Sequence, residues 1–175
     1  MQLLNPGIDS TTGSECTTLS ARLHKLQNAR IVMLDNRHHN VAAAWDHLAE
    51  QLRAKYNADV VSVRKANANS PAGDAIIESI VGKADAVING IGDCGSCTSW
   101  SVHDGTELER RSVPTVTVIT EAFRLPAALR CSSLGVPDLK VVEMGHPLAS
   151  MAVDEVQNEM DRIFFRLVEA LLAES

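Results

Sequence analysis

The chain predicts an α/β fold, a three-layer sandwich around a parallel, flavodoxin-like or Rossmann-like sheet of about five strands. Three observations carry that prediction. Short β-rich apolar runs alternate with longer stretches of helical periodicity along nearly the whole sequence. Such alternation implies a parallel sheet covered on both faces, because each parallel crossover needs a connection long enough to hold a helix. With 175 residues, 45% of them hydrophobic, there is material for one core and one domain.

Residues 1–25, rich in Ser, Thr and Gly, read as an irregular arm with a short helix around Leu19 to Leu26, resting on the sheet or on another subunit. Residues 26–175 form the domain. Arg30 to Leu34 (RIVML) is the first strand, and Val41, Trp45, Leu48 and Leu52 line one face of the helix that follows. Asp59 to Val63 (DVVSV) is the second strand. The turn at Asn69-Ser70-Pro71 then leads into a helix over Ala72 to Val81, with Ile76, Ile77 and Ile80 on its stripe. Ala84 to Ile88 is the third strand, Thr98 to Arg111 the third helix and Val113 to Ile119 the fourth strand. Glu121 to Leu134 is helical despite Pro126, and Leu139 to Glu143 is the fifth strand. Val153 to Leu172 is a long amphipathic helix whose stripe of Val153, Val156, Met160, Ile163, Leu167 and Leu171 is a packing face. Phe164 and Phe165 widen it enough to allow a homo-oligomer through this helix. Met33, Met144 and Trp100 read as core.

The formal charge is −6, there is no basic run, and the aromatic residues are two Trp, one Tyr and three Phe. Nucleic-acid binding wants basic patches and stacking rings, so nucleic acid is not an expected partner. No segment approaches the roughly 18 apolar residues of a bilayer span, and the N-terminus lacks a basic stretch followed by an apolar one. The expectation is a cytoplasmic protein with no membrane partner. In a reducing compartment, cysteines at 16, 94, 97 and 131 are not a disulfide framework, which favours chemistry for the close pair. Cys16 and Cys131 read as structural.

Ligands of open parallel sheets sit beyond the C-terminal strand ends, at the crevice where strand order reverses. In the flavodoxin-like order the first and third strands flank that crevice. Their loops are DNRHHN (Asp35 to Asn40) and NGIGDCGSC (Asn89 to Cys97). The fourth strand is followed by Thr120 and Glu121, the fifth by Gly145-His146-Pro147. One pocket can therefore gather Asp35, Arg37, His38, His39, Cys94, Cys97, Thr120, Glu121 and His146, with Asn36, Gly92, Asp93, Gly95, Ser96 and Thr98 also placed around a small-molecule substrate.

Cys94 and Cys97 stand in a Cys-x-x-Cys at a strand-to-helix junction, the placement used by thioredoxin-type redox sites. Unpaired N–H groups and the positive dipole end at a helix N-terminus stabilise a thiolate, which is the reactive form of a thiol. Glycines 90, 92 and 95 allow a tight turn with amides facing an oxyanion. Cys97, one turn on, is placed to attack a sulfur-bound intermediate on Cys94. A metal reading needs two more ligands, and there is no second Cys-x-x-Cys, so His103 or His146 would have to complete it. The site is expected to hold no metal. A buried pair of small residues is the bland alternative.

His146, before Pro147 and just past a strand end, is the general acid/base candidate by position. His103 on the third helix can point back toward the cysteine loop; a half-exposed helix histidine is the alternative. Of His38 and His39, one at most faces inward. Arg37 can fork a carboxylate or phosphate, or simply lie on the surface.

GDCGSCTSWSVHD (Gly92 to Asp104) resembles the signature of the UGSC-like family, named for a Sec-Gly-Ser-Cys motif whose first residue is selenocysteine in some members and cysteine in others. Cys94-Gly95-Ser96-Cys97 matches it residue by residue, and the likeness runs over most of residues 25 to 165. A looser similarity, limited to about 30 residues, is to the selenoprotein component of glycine reductase. A position that accepts selenium implies a strongly nucleophilic chalcogen, hence Cys94 as the attacking atom. The first loop departs from the pattern: Arg37-His38-His39 stands where a small polar or Lys-containing turn is expected.

The expected function is that of a thiol-dependent enzyme. Cys94 attacks a sulfur or other electrophilic centre of a small substrate, Cys97 resolves the adduct, an external thiol reductant regenerates the pair, and no cofactor is tightly bound. The alternatives are a redox-neutral lyase, hydrolase or transferase with a histidine moving the proton, and a metal- or ligand-binding module.

Overall fold

The computed structural model describes residues 18–173. Its elements are β1 (Arg30–Asp35), α1 (Val41–Tyr56), β2 (Asp59–Arg64), α2 (Asp74–Ile80), β3 (Ala86–Gly92), α3 (Gly95–Arg110), β4 (Thr115–Thr120), α4 (Arg124–Ser133), β5 (Lys140–Met144) and α5 (Val153–Leu171). Short 3-10 turns precede α4 at Glu121–Phe123 and α5 at Leu148–Ser150. The strands are all parallel in the order β2-β1-β3-β4-β5. That is the flavodoxin-like order, with its topological switch between β1 and β3.

Alternation along the strands divides the core. Ile31, Met33, Ala86, Ile88, Val116, Val118, Val142 and Met144 face α1 and α5. Val32, Leu34 and Val87 face α2 and Leu108 of α3, while Ile119 packs with Val102 of α3 and with Ala127 and Cys131 of α4. Each fully buried Val, Leu or Ile contributes about 1.5–3 kcal/mol relative to exposure, so helix position follows the apolar stripes. In α1 the buried Val41, Ala44, Trp45, Leu48 and Leu52 keep helical spacing. Left-handed Asn57 stops the helix, a conformation that asparagine tolerates better than most residues, and its N–H donates to the carbonyl of Arg53. At the start of α5 the Glu155 carboxylate accepts from the Ala152 amide at 2.7 Å, which satisfies one orphan donor.

The structure corrects several boundaries. No helix forms over Leu19 to Leu26. That segment is irregular, with a bend at His24; Leu23 bridges to Leu172, and Ser20 and Arg22 both bind Glu109, tying the arm to α3. Cys16, assigned to the arm, lies outside the described residues. β3 runs four residues past Ile88, because β1 and β4 flank it and offer ladder partners on both sides. The loop expected at Asn89 to Cys97 therefore shrinks to Asp93 and Cys94, and α3 starts at Gly95 rather than Thr98. On α5, Phe164 joins the core, whereas Val153 and Phe165 are exposed. Trp100 is half-buried and lies edge-on to His103. No described helix is long and apolar enough to cross a membrane.

Candidate active site

The early start of α3 changes what the cysteines do locally. Cys94 is the N-cap residue, with extended backbone (φ −151°, ψ 167°), and its sulfur accepts the Cys97 N–H at 3.2 Å. The amides of Gly95 and Ser96 belong to the first turn, where no intrahelical acceptor exists. They surround a position where negative charge is favoured. Cys94 and Cys97 form a disulfide, their Cα atoms 5.3 Å apart, within the span such a bond needs. Cys97 is fully buried, whereas Cys94 retains exposure. A substrate can therefore reach one sulfur of the pair.

Two glycines bring β3 close to its neighbours. A Cβ on Gly92 would lie 2.6 Å from Thr98 Oγ1 and 2.8 Å from Thr98 Cα, so only glycine lets the strand end meet α3. Gly90 has φ +138°, and a Cβ there would lie 2.6 Å from the carbonyl oxygen of Val118. Gly95 has open space where its Cβ would be.

The loop after β1 is braced by its acids and amides. Asp35 is buried and accepts from the Arg37 amide at 2.6 Å and Arg64 Nε at 2.7 Å. Asn36 is buried too; its Nδ2 donates to the carbonyl of Ile91 at 2.8 Å, and its Oδ1 accepts from the His38 amide at 3.1 Å. This ties the first loop to β3 and sets the ring of His38 beside the disulfide: a ring nitrogen of His38 and the two sulfurs all lie within 4.8 Å of one another. The Nδ1 of His38 is buried without a hydrogen-bond partner. Arg37 and His39 are exposed, and together with Asp35, His38, Asn40, Ala42 and Arg64 they line a cavity of about 280 Å³.

A second arrangement occupies the ends of β4 and β5. Asp93 is buried and accepts from His146 Nδ1 at 3.0 Å and from the amides of Leu148 and Ala149 at 3.1 and 3.0 Å. Thr120, fully buried, is 3.0 Å from the same Nδ1. Phe123 stands edge-on to the ring, and His146 opens with Glu121, Ala122, Arg124 and Leu125 on a second cavity of about 500 Å³. Of the residues expected to share one pocket, then, His38 joins the cysteines, while His146, Thr120 and Glu121 gather on the other side of Asp93. Asp93 and Asn36 act inside the framework rather than at a ligand surface. His103 is half-exposed, and its Nδ1 has Asp104 Oδ1 at 3.5 Å.

Three supports were not legible as such. Ser96 Oγ donates to Asn69 Oδ1 at 2.9 Å, so the turn before α2 reaches the cysteine turn. Lys65 and Asp104 form a fully buried ion pair at 2.6 Å, and Asp104 also accepts from the Ala72 amide at 2.9 Å. Asn89, inside β3, donates to the Ser101 carbonyl and to Thr117 Oγ1. The one signal available was polar residues closing apolar strands, which also suits a simple surface loop.

The UGSC family model matches residues 2–173. The chain belongs to the UGSC family. No curated protein matches it. Among solved structures, this UGSC-family chain is similar to an FMN-dependent cysteine decarboxylase, SpaF, at 14% identity and a TM-score of 0.42, over 78% of this chain and 98% of that one. The expectation of no tightly bound cofactor is withdrawn, because that structure is of an FMN-dependent enzyme. The likeness at this level assigns no flavin-binding residue to the UGSC chain. The cavity beyond β1 has Ala42 as its one aliphatic wall, and so does not offer the flat apolar slot that an isoalloxazine ring requires.

Proposed function

We propose that this UGSC-family protein is a thiol-dependent enzyme in which Cys94 is the nucleophile and Cys97 the resolving thiol. One observation carries the reading: Cys94 is the partly exposed N-cap of α3, and Cys97 is buried within bonding distance behind it. The Cys97 amide and the open first-turn amides stabilise the Cys94 thiolate. His38, beside both sulfurs, takes the thiol proton. The reading also takes Cys94-Gly95-Ser96-Cys97 as the cysteine form of the Sec-Gly-Ser-Cys motif, with the glycine reductase selenoprotein as a looser relative.

For a small disulfide substrate the electrons balance as follows. The Cys94 thiolate attacks one substrate sulfur, the substrate S–S bond breaks, and the other half leaves as a thiolate. Cys97 loses its proton and attacks the Cys94 sulfur, releasing the second half as a thiolate and closing the Cys94–Cys97 disulfide. An external dithiol then gives two electrons and two protons to the pair and departs as its own disulfide.

A second reading is favoured by the Asp93–His146 contact. An imidazole held by a buried carboxylate at Nδ1 keeps Nε2 available to move a proton, as a redox-neutral lyase, hydrolase or transferase with Cys94 as nucleophile would need.

Intact-mass measurement after mixing reduced protein with a small aromatic disulfide tests the first reading. Cys97→Ser should hold one substrate half on Cys94 and lose multiple turnover. Unchanged turnover removes the resolving role, and an adduct that survives Cys94→Ser removes the nucleophile.

A further inference from the structure

We infer that, once reduced, Cys94, Cys97 and His38 form a binding site for one thiophilic divalent cation, zinc being the natural choice. The inference goes beyond the thiol-enzyme reading and does not need it. Two thiolates and an imidazole form a donor set that zinc accepts with a fourth position left open. The three donor atoms already lie within 4.8 Å of one another. A tetrahedral zinc with Zn–S bonds of about 2.3 Å holds its sulfurs about 3.8 Å apart, so the pair must part from its disulfide contact by a side-chain movement. Both cysteines stay on the same turn, where Cα atoms 5.3 Å apart suit either state.

One feature points to a ligand, and a second holds the ring in place for it. His38 Nδ1 is buried with no hydrogen-bond partner, although such a group destabilises the fold unless something satisfies it. The His38 backbone is held by Asn36, which is itself anchored to β3, so the ring is carried toward the sulfurs by a braced loop rather than a free one. At the other end, the first-turn amides of α3 favour both thiolates. The fourth position faces the open side of Cys94, where Gly95 has no neighbour within 4 Å of its Cβ direction.

Redox state gates this site. The disulfide has no thiolate to offer. An external dithiol reduces it, delivering two electrons and two protons and leaving as a disulfide; the cation then displaces the two thiol protons. Cation binding and disulfide formation exclude each other, so bound zinc would protect Cys94 from oxidation and leave the open position for a substrate atom.

The test uses the full chain, reduced and freed of metal without oxygen, then titrated with Co²⁺ and afterwards with Zn²⁺. The expected result is one Co²⁺ per chain with thiolate-to-cobalt charge-transfer absorption, bleached by one equivalent of Zn²⁺, and no absorption from the disulfide form. Cys97→Ser should roughly halve the charge-transfer intensity per bound ion. His38→Ala should weaken Co²⁺ binding at least about tenfold, with its far-ultraviolet dichroism unchanged. His39→Ala, an exposed neighbour, should bind as the parent does. Absence of charge transfer in the reduced chain overturns the site. Equal affinity of the parent and His38→Ala, or a loss in His39→Ala, overturns the ligand assignment. Because no substrate is present, a failed turnover assay leaves these readings untouched.

Discussion

The two sides of Asp93 use the same chemical vocabulary to opposite ends. Toward β5, the carboxylate, the His146 ring, Thr120 and the amides of Leu148 and Ala149 hold one another, and the Asp93 carboxylate spends both oxygens on them. Toward β1, the amides of Gly95 and Ser96, and His38 Nδ1 lack such closure. The first side is a clasp; the second keeps binding capacity in reserve. An unsatisfied buried group costs stability, and folds tolerate that cost where a ligand or a reaction supplies the missing partner. The difference separates the turn proposed as reactive from the framework that aims it.

The largest expected effect sharpens the open side. Cys94→Ser should lower turnover of a small aromatic disulfide by about 10³-fold or more. Peptide mapping should find Cys94 alkylated far faster than Cys131, whose thiol burial pushes up and so keeps protonated. Equal labelling of the two would erase the asymmetry between reactive and structural sulfur.

Next in size is the close approach that both sides share. Gly92→Ala drives a methyl into Thr98 and should cost about 1–3 kcal/mol, seen as a melting temperature lower by about 2–4 °C per kcal/mol. An unchanged melting temperature would mean that the strand end and α3 can part without loss.

A smaller effect compares the two imidazoles. His38→Ala should slow Cys94 alkylation near neutral pH several-fold, because the ring beside the sulfurs is gone. His146→Ala should leave that rate within about twofold and instead reduce stability by about 1–2 kcal/mol, since Asp93 loses a partner. The reverse pattern would move the proton carrier to the β5 side and favour the redox-neutral reading.

The smallest effect concerns the support under His146. Glu159 is held below the usual carboxylate range by Arg162, helped by the Gly145 amide. A depressed carboxyl contributes stability above its unfolded value, near pH 4.3, and loses it as pH falls through the folded value. Glu159→Gln should therefore flatten the fall of melting temperature below about pH 4.5, by under about 1 kcal/mol. A slope equal to the parent's would mean that this pair does not contribute.

Much of the fold is readable from periodicity alone. RIVML, DVVSV and VPTVTVI are short runs rich in β-branched residues that favour strands, and the α1 and α5 stripes bury a face against them, so the βα rhythm points to the parallel sheet and its helices. The sequence also singled out Cys94 and Cys97, because a Cys-x-x-Cys at a strand-to-helix junction is a local feature. It placed β3's end too early, since a strand of AVINGIG draws its last residues from neighbours 55 and 28 positions away rather than from its own composition. It also set His38 and His146 in one pocket. Which imidazole meets the sulfurs depends on Asn36 reaching Ile91 and on Asp93 gripping His146, contacts between loops distant in sequence. Local spacing singled out the candidate residues; only the tertiary structure decided which of them meet, because hydrogen bonds across the strand ends set the direction of each ring.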